Sequence, residues 1–498
     1  MIGWHLGGNV PMLKKLLFEN VGVKQTVFKN TFWLVMATGA NKLLNSILII
    51  YVARVLGATN YGKFTFALAF VSLLVIFSDF DLPSIITREL SKEIEREKEF
   101  PAIFSLKILL SLGTLILMLV GSFFITHDSK IQRIIWILAI YILISNFSGI
   151  IYAFLKARQR MEYVFLATIL RALVVTGAGF LVILNFPSVE NLSYGYLFAS
   201  LAALIFILVF FHLKIFPLKF SWQKPIWLRY LAMSWPLALS TIFVRIYRSI
   251  DSIMMGYFGL ITEVGWYNAA YKIIGLTVIS SSLISESFYP ILSKAFKESE
   301  ETFQKLWNYH METKISLAIP LVVGGVIFAP RIIYFIYNPS FAPSVFAFQI
   351  LAVGAGIIFL NSVFAQALIV SNQQKKFLLI TLFGAIINII LNLILIPKFS
   401  LYGAAFAALI TFLLNFFFYL RFTFKFTSIR PLNARLFLGF IGAGFCSIPM
   451  YFVISQPRIY QLDLFLSILM GATTYAVFLL LYRRIVKHIF HLLIFSPT

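Results

Sequence analysis

The sequence predicts an all-α, polytopic membrane protein with about 14 transmembrane helices. Of its 498 residues, 60% are hydrophobic and only 12% are charged, whereas a soluble protein carries about 25% charged residues. Apolar windows of about 20 residues, the length that crosses a bilayer as a helix, recur along the whole chain. These windows are too long, and alternate too little, to be the strands of a membrane barrel.

Fourteen such windows can be placed in order along the chain. The second, seventh and eighth are interrupted by charged residues, and the others are almost purely apolar. The windows fall at 31–54, 64–87, 104–125, 134–155, 163–185, 193–213, 230–256, 265–289, 315–336, 344–370, 377–396, 402–420, 435–454 and 463–482. The loops between them are short, so no hydrophilic domain is expected outside the bilayer.

The net charge of +22 is a topology signal. Alternate loops, beginning with the N-terminal one, hold about four times as many lysines and arginines as the remaining loops, which places them in the cytoplasm. Both termini are therefore expected inside, and the basic loops face anionic lipid headgroups rather than nucleic acid. The first thirty residues lack the apolar core and cleavage site of a signal peptide. A single cysteine, Cys446, and six scattered histidines predict neither a disulfide nor a bound metal.

One short motif occurs twice. The stretch "VARVLGATNYGKFTFALAF" (52–70) is echoed by "YFGLITEVGWYNAAYK" (257–272), with Gly62 and Gly265 lying 203 residues apart. A second echo links "LSYGYLFASL" (192–201) to "SLYGAAFAAL" (400–409). Six helices separate the two starts, so the repeats are expected to run parallel about an axis along the membrane normal. Chance matches among frequent glycines and alanines are the alternative.

The repeats predict two six-helix lobes followed by two C-terminal helices. The expected parts are a cytoplasmic N-terminal segment (1–30), an N-lobe with helices 1–6 (31–214), a C-lobe with helices 7–12 (215–421), and helices 13–14 with a cytoplasmic tail (422–498).

Cations inside the apolar windows are the candidate substrate-binding residues, because a charge at a helix centre costs about 2.5–3.5 kcal/mol. Only one acid, Asp251, lies at the same depth, which leaves a net charge of about +4. An anionic ligand would balance this charge, and arginine grips phosphate oxygens with a bidentate fork. The alternatives are a structural Arg248–Asp251 ion pair and side chains that reach the interface. The five cations are Lys42, Arg171, Arg245, Arg248 and Lys272.

Four acids are candidates for gating or ion coupling. Asp79, Asp81 and Glu286 lie near the cytoplasmic ends of the second and eighth windows, and Asp251 lies deeper. A buried carboxylate can carry a proton, whereas capping or pairing with Arg88 or Arg54 would make the first three structural. Asn388 and Asn392 share one helix face and favour hydrogen bonds between helices.

The motifs resemble those of the polysaccharide transporter, or oligosaccharide flippase, family of the multidrug/oligosaccharidyl-lipid/polysaccharide exporter superfamily. "RVLGATNYGKFTFALAF" followed by "FSDFDLPSIITRELSK" is similar to the family's opening helices, and "FLKARQRMEYVFLATI" and "FAQALIVSNQQKKFLLI" fit the same pattern. The resemblance implies two six-helix bundles that alternate between inward- and outward-facing states. It also implies cavity cations at Lys42, Arg245 and Arg248, and a lipid-tail groove beside helices 13 and 14.

The expected function is therefore a flippase that moves oligosaccharide linked to polyprenyl pyrophosphate or phosphate across the cell membrane, with both termini cytoplasmic. Its partners are the lipid-linked oligosaccharide, membrane lipids, and glycosyltransferases or a polymerase of the same pathway. No cofactor is expected, although an ion gradient or membrane potential could drive transport. A multidrug or cation antiporter is the first alternative. An enzyme, such as a membrane glycosyltransferase or polymerase, is disfavoured because no catalytic residue set or extramembrane domain is found.

Overall fold

The computed structural model describes residues 18–20, 22–431 and 433–494, so most of the expected N-terminal segment lies outside the described residues. The described part contains α-helices and three short 3-10 helices (Val75–Ser78, Ile94–Glu99, Pro339–Phe341), and no strand. The α-helices in chain order are α1 Val23–Leu74, α2 Leu82–Leu90, α3 Phe100–Ile125, α4 Ser129–Ala157, α5 Met161–Asn185, α6 Val189–Lys214, α7 Lys224–Tyr257, α8 Ile261–Glu298, α9 Glu300–Ile336, α10 Ser344–Val370, α11 Gln374–Phe426, α12 Ala434–Ser455, α13 Pro457–Tyr460 and α14 Leu464–Ile494.

Two of these helices are broken and each covers two of the predicted windows. α1 has 52 residues and α11 has 53, and an unbroken helix of that length would extend about 78 Å, more than twice the hydrocarbon core. The backbone leaves the helical region at Gly57 (φ 73°, ψ 171°) and at Ser400 (φ 53°, ψ −131°). A glycine tolerates this left-handed turn, whereas Ser400 carries a side chain there.

The fold class predicted from the sequence is confirmed. In the described part of the chain, ten helical stretches are long and apolar enough to cross a membrane, two of them being the broken α1 and α11. α7 and α8, which charges interrupt, cover the seventh and eighth windows. All fourteen predicted windows are therefore helical.

The chain forms two compact units. The first comprises 1–56 and 63–249, and the second comprises 57–62 and 250–498. Buried aromatic side chains centre each core: Phe100, Phe154 and Phe211 in the first unit, and Trp307 and Phe364 in the second. The lobes expected from the sequence are defined by helix number rather than by packing, and their boundaries stay a prediction.

Within the second unit, the two copies of the repeated motif lie against each other. The hydroxyl oxygens of Thr59 and Thr262 are 2.9 Å apart, and these residues are 203 positions apart in sequence. A Cβ on Gly62 would overlap the carbonyl oxygen of Ile261, and a Cβ on Gly265 would overlap that of Ala58. Both contacts exchange residues of the same 203-residue offset, which is the pattern that a local two-fold axis produces.

The same two segments share their backbone conformation. Gly57 and Gly259 precede the contact and both adopt a left-handed φ, of 73° and 78°. The echo noticed in the sequence is therefore a repeated local structure rather than a chance match of small residues. The superposition of all six helices of one half on the other is a wider prediction.

Candidate functional site

Arg245 on α7 lies half-buried in the first unit. Its Nη1 donates a hydrogen bond to the carbonyl oxygen of Ser72, at 2.9 Å, near the end of α1. It lies within electrostatic range of Asp79, Asp81 and Arg248. Its Nε is buried and makes no hydrogen bond with the described residues. A buried donor without a partner is costly, and an anion placed there would satisfy it.

The other cations of the first unit differ in their surroundings. Arg171 on α5 is half-buried, hydrogen bonds with the Tyr152 hydroxyl and lies within electrostatic range of Tyr141; its Nε is also buried without a partner. Lys42 and Arg248 are exposed, and neither makes a hydrogen bond or ion pair with residues that the structure describes. Four of the five predicted cations thus belong to one unit. Lys272 is half-buried on α8, in the second unit.

Asp79 lies at a break between helices and is held by three donors. α1 passes into the 3-10 helix Val75–Ser78, and the next residues, Phe80 and Asp81, have left-handed φ angles of 47° and 60°. Asp79 accepts hydrogen bonds from Asn146 Nδ2 at 2.7 Å and from the Asp81 amide at 3.1 Å. Lys107 Nζ, fully buried, lies 3.4 Å from its Oδ2. The sequence analysis missed Lys107 and Asn146, and the carboxylate is accordingly paired inside the first unit.

Asp81 and Glu286 are less enclosed. Asp81 is half-buried and accepts a hydrogen bond from Ser84 Oγ at 3.0 Å, and Glu286 on α8 is exposed. The alternative that paired these acids with Arg88 is wrong for the described residues, because Arg88 Nε donates to the neighbouring Glu89 at 2.9 Å.

Asp251 on α7 is the centre of a buried polar network in the second unit. Its Oδ2 accepts a hydrogen bond from the Tyr267 hydroxyl at 2.5 Å, and its Oδ1 accepts one from Asn392 Nδ2 at 2.6 Å. Asn392 also donates to Asn388 Oδ1 at 3.1 Å, and Asn388 Nδ2 lies 3.5 Å from Thr411 Oγ1. The expectation that the two asparagines join helices is confirmed, since α11 bonds to α7 through them.

The structural Arg248–Asp251 ion pair considered in the sequence analysis is wrong. No lysine or arginine among the described residues lies within ion-pair distance of Asp251, which is 5% exposed. The reason is local: Tyr267 and Asn392 occupy both carboxylate oxygens, while Arg248 points to an exposed face. Nothing in the sequence around 251 indicated Tyr267 as a partner, although it belongs to the repeated motif.

The Asp251 network has the donor set of a small cation site. It carries one uncompensated negative charge, and the Oδ1 of Asn392 is buried without a hydrogen-bond partner. Carboxylate, amide and hydroxyl oxygens are the ligands that hard cations prefer. The described residues contain no cluster of three or more His, Cys, Asp or Glu, so the network suits a single positive charge better than a divalent or transition metal ion.

An apolar groove of about 490 Å³ lies within the second unit, between α9, α10, α11 and α12. Its walls are mostly aliphatic and aromatic, including Ile315, Phe364 and Phe416. α12, the thirteenth predicted window, supplies Ala434, Leu436, Phe437 and Phe440. α14 packs on α12 and supplies no side chain to the groove, so the two C-terminal helices have different roles.

Comparison with known proteins agrees with this architecture. A protein from Haloferax volcanii named as a probable low-salt glycan biosynthesis flippase, Agl15, is 22% identical over 451 residues, covering 88% of this chain and 92% of its own. A structure of the lipid II flippase MurJ in an inward closed conformation has a TM-score of 0.72 at 16% identity, covering 92% of this chain and all of its own.

A second fold likeness is to an inward-facing multidrug resistance transporter of the MATE family and MOP superfamily, with a TM-score of 0.62 at 16% identity, covering 81% of this chain and 94% of its own. At these identities the likenesses show the fold. A family profile described as polysaccharide biosynthesis protein matches residues 27–296, more than half of the chain. The chain is a multi-pass membrane protein and belongs to the polysaccharide biosynthesis protein family.

Proposed function

We propose that this protein is a flippase that moves lipid-linked oligosaccharide, carried on polyprenyl pyrophosphate or phosphate, across the cell membrane by alternating access. The observation that carries the proposal is Arg245, a guanidinium inside a membrane-crossing helix whose buried Nε has no partner. Membership of a polysaccharide biosynthesis family supports the substrate class. The relative named as a glycan biosynthesis flippase supports the direction of the assignment.

The headgroup is held by the cations of the first unit. A pyrophosphate offers several anionic oxygens, and Arg245 and Arg248 lie three residues apart on one helix face. Arg171 adds a second guanidinium with an unsatisfied donor. Arginine is suited to this role because its fork matches phosphate geometry. Lys42 and Lys272 provide point charges to the same substrate at other stages of the cycle.

The isoprenoid tail occupies the apolar groove lined by α12. Its volume of about 490 Å³ lies in the range of specific ligand pockets, and its aromatic walls suit a methyl-branched chain. Transfer of such a chain into this groove leaves apolar groups out of water, whichever leaflet holds the headgroup. The groove therefore supplies binding without specificity for the sugar.

The Asp251 network takes part in ion coupling. Binding of a monovalent cation would neutralise a buried carboxylate that has no basic partner, and would satisfy the free oxygen of Asn392. Because Asp251 lies on α7, two residues after the boundary between the two compact units, occupancy of this network would favour one state over another. Asp79 is disfavoured for the same role, since Lys107 already pairs with it.

The orientation follows the charge of the loops. Both termini and the basic loops face the cytoplasm, where glycosyltransferases would assemble the substrate on its lipid carrier. The protein would then present the oligosaccharide on the opposite leaflet to a polymerase or transferase. It has no catalytic step of its own in this scheme.

Reconstitution into vesicles tests the proposal. The probe is a fluorescent polyprenyl-pyrophosphate disaccharide, and its movement is read from protection against a membrane-impermeant quencher. The wild-type protein should move the probe, Arg245→Ala should abolish movement, and Arg245→Lys should retain part of it because the charge remains without the fork.

Arg133→Ala is the matched control. Arg133 is exposed and lies 3.7 Å from Glu190, near the outer ends of α4 and α6, so its loss should leave movement unchanged. Full activity of Arg245→Ala, at equal abundance in the vesicles, would overturn the assignment of the headgroup site.

A further inference from the structure

Two buried lysines occupy equivalent places in the two repeats. Lys107 on α3 and Lys314 on α9 are both fully buried. Lys107 Nζ donates a hydrogen bond to Ser78 Oγ at 3.2 Å, and Lys314 Nζ donates one to Ser281 Oγ at 2.6 Å. The two serines are 203 residues apart, as are Thr59 and Thr262, and the lysines are 207 apart. The same lysine–serine contact is therefore built twice.

The two copies differ in charge. Lys107 has a carboxylate partner, since Asp79 Oδ2 lies 3.4 Å away. No carboxylate among the described residues lies within ion-pair distance of Lys314. Its other contacts are the carbonyl oxygen of Ser281, to which it also donates, and the face of the Phe359 ring at 5.5 Å. Lys314 is thus a buried amine without a counter-charge.

The helices packed against α9 do not provide this counter-charge. α10 carries no titratable side chain, Arg435 of α12 pairs with Glu312, and Arg483 of α14 donates to Ser316 Oγ. Tyr482 of α14 donates to the Leu438 carbonyl oxygen. Glu286 of α8 is exposed and lies about 140° around the helix from Ser281.

The neighbouring turn of α9 carries a second ionisable group. His310 precedes Lys314 by four residues, is fully buried, and stacks on Phe288 at 4.4 Å. Neither of its ring nitrogens has a hydrogen-bond partner among the described residues. A positive charge on the ring would therefore be as poorly compensated as one on Lys314, and would repel it.

We propose that Lys314 is a proton-binding site that takes up and releases a proton during each transport cycle. An unpaired charge is costly in a site without water or a counter-ion, so the charged and neutral forms of the amine favour different surroundings of Nζ. The proton adds to the lone pair of the Nζ amine, and no other bond changes. Water on one side of the membrane supplies the proton, and water on the other side receives it. This inference rests on the proposed flippase function.

Transport under a pH gradient tests the proposal. Vesicles with the fluorescent polyprenyl-pyrophosphate disaccharide are given a gradient of either sign, with the membrane potential clamped by potassium and valinomycin. For one proton per substrate, a gradient of one pH unit should change the ratio of the two rates by up to about tenfold. Lys314→Met should bring this ratio to one.

Two further variants separate the proton from the fold. Ser281→Asp places a permanent acid against Lys314 and should also bring the ratio to one. Lys294→Met removes a lysine that is 80% exposed on α8 and should keep the wild-type ratio. A wild-type ratio of one, or a Lys314→Met ratio equal to that of the wild type, would overturn the proposal.

A measurement without substrate distinguishes this proposal from the flippase assignment. The lysine ¹³Cε resonance that disappears in Lys314→Met should move between about pH 6 and about pH 9 in the solubilised protein. A resonance that stays fixed across this range refutes proton binding, even if the probe is transported. Failure of the wild-type protein to move the probe, with a resonance that does move, refutes the flippase assignment alone.

Discussion

Replacement of Gly265 by alanine tests the reciprocal contact of the two repeated segments. The added Cβ would overlap the main-chain carbonyl oxygen of Ala58, and a backbone atom cannot rotate away as a side chain can. Insertion of a methyl group into a packed site costs about 1–3 kcal/mol. The upper end is expected, because the neighbouring backbone is fixed by the reciprocal contact at Gly62.

The assay uses the one cysteine of the chain. Cys446 is 4% exposed on α12, so a thiol-reactive dye becomes fluorescent only as the protein unfolds. Gly265→Ala should lower the midpoint of this signal on heating by several degrees. The midpoint is compared at one scan rate, because membrane proteins commonly unfold irreversibly.

Gly275→Ala is the matched control on the same helix. A Cβ at Gly275 meets no atom within 4 Å, and alanine is favoured over glycine in a helix by about 1 kcal/mol. Its midpoint should stay the same or rise. The Gly62→Ala/Gly265→Ala variant should lose less than the sum of the single variants, since one displacement relieves both overlaps. Equal midpoints for Gly265→Ala and Gly275→Ala would refute the contact.

Three other outcomes are expected. Lys107→Met leaves Asp79 buried and unpaired and should cost about 3–5 kcal/mol; adding Asp79→Asn should restore part of the midpoint in the same thermal assay, and no restoration would argue against the pair. Asp251→Asn should remove the dependence of probe movement on external sodium or potassium, and a retained dependence places coupling elsewhere. Lys224→Cys should react with an impermeant maleimide only in inside-out vesicles, over the low background of buried Cys446; reaction in intact cells reverses the topology.

The helices and their order could be predicted because a membrane segment is specified locally. Each window needs only about 20 apolar residues in sequence, and α7 and α8 were found although charges interrupt them. The two breaks were only partly visible. Gly57 lies in a motif that suggested a turn, whereas Ser400 adopts a left-handed φ of 53° without a glycine to announce it.

The polar contacts could not be predicted because their partners come from different helices. Asp251 was read against Arg248, three residues away, yet its partners Tyr267 and Asn392 lie 16 and 141 residues further along the chain. Lys107 was overlooked because it stands near the end of an apolar window, where a lysine usually reaches the interface. A repeat offset of 203 residues, applied to Ser78, would have pointed to Ser281 and from there to Lys314.

The polarity of the buried groups favours an anionic substrate over the export of organic cations. Arg245 and Arg171 offer unsatisfied donors, which an organic cation cannot use, and their positive field would repel it in a medium of low dielectric constant. The acid that could attract a cation, Asp251, is 5% exposed with both oxygens occupied, so it admits an ion but not a drug. A small cation at Asp251 and a phosphate at Arg245 are therefore compatible in one protein. If a cationic dye competes with the lipid-pyrophosphate probe in the vesicle assay, this separation of roles fails and the antiporter alternative gains support.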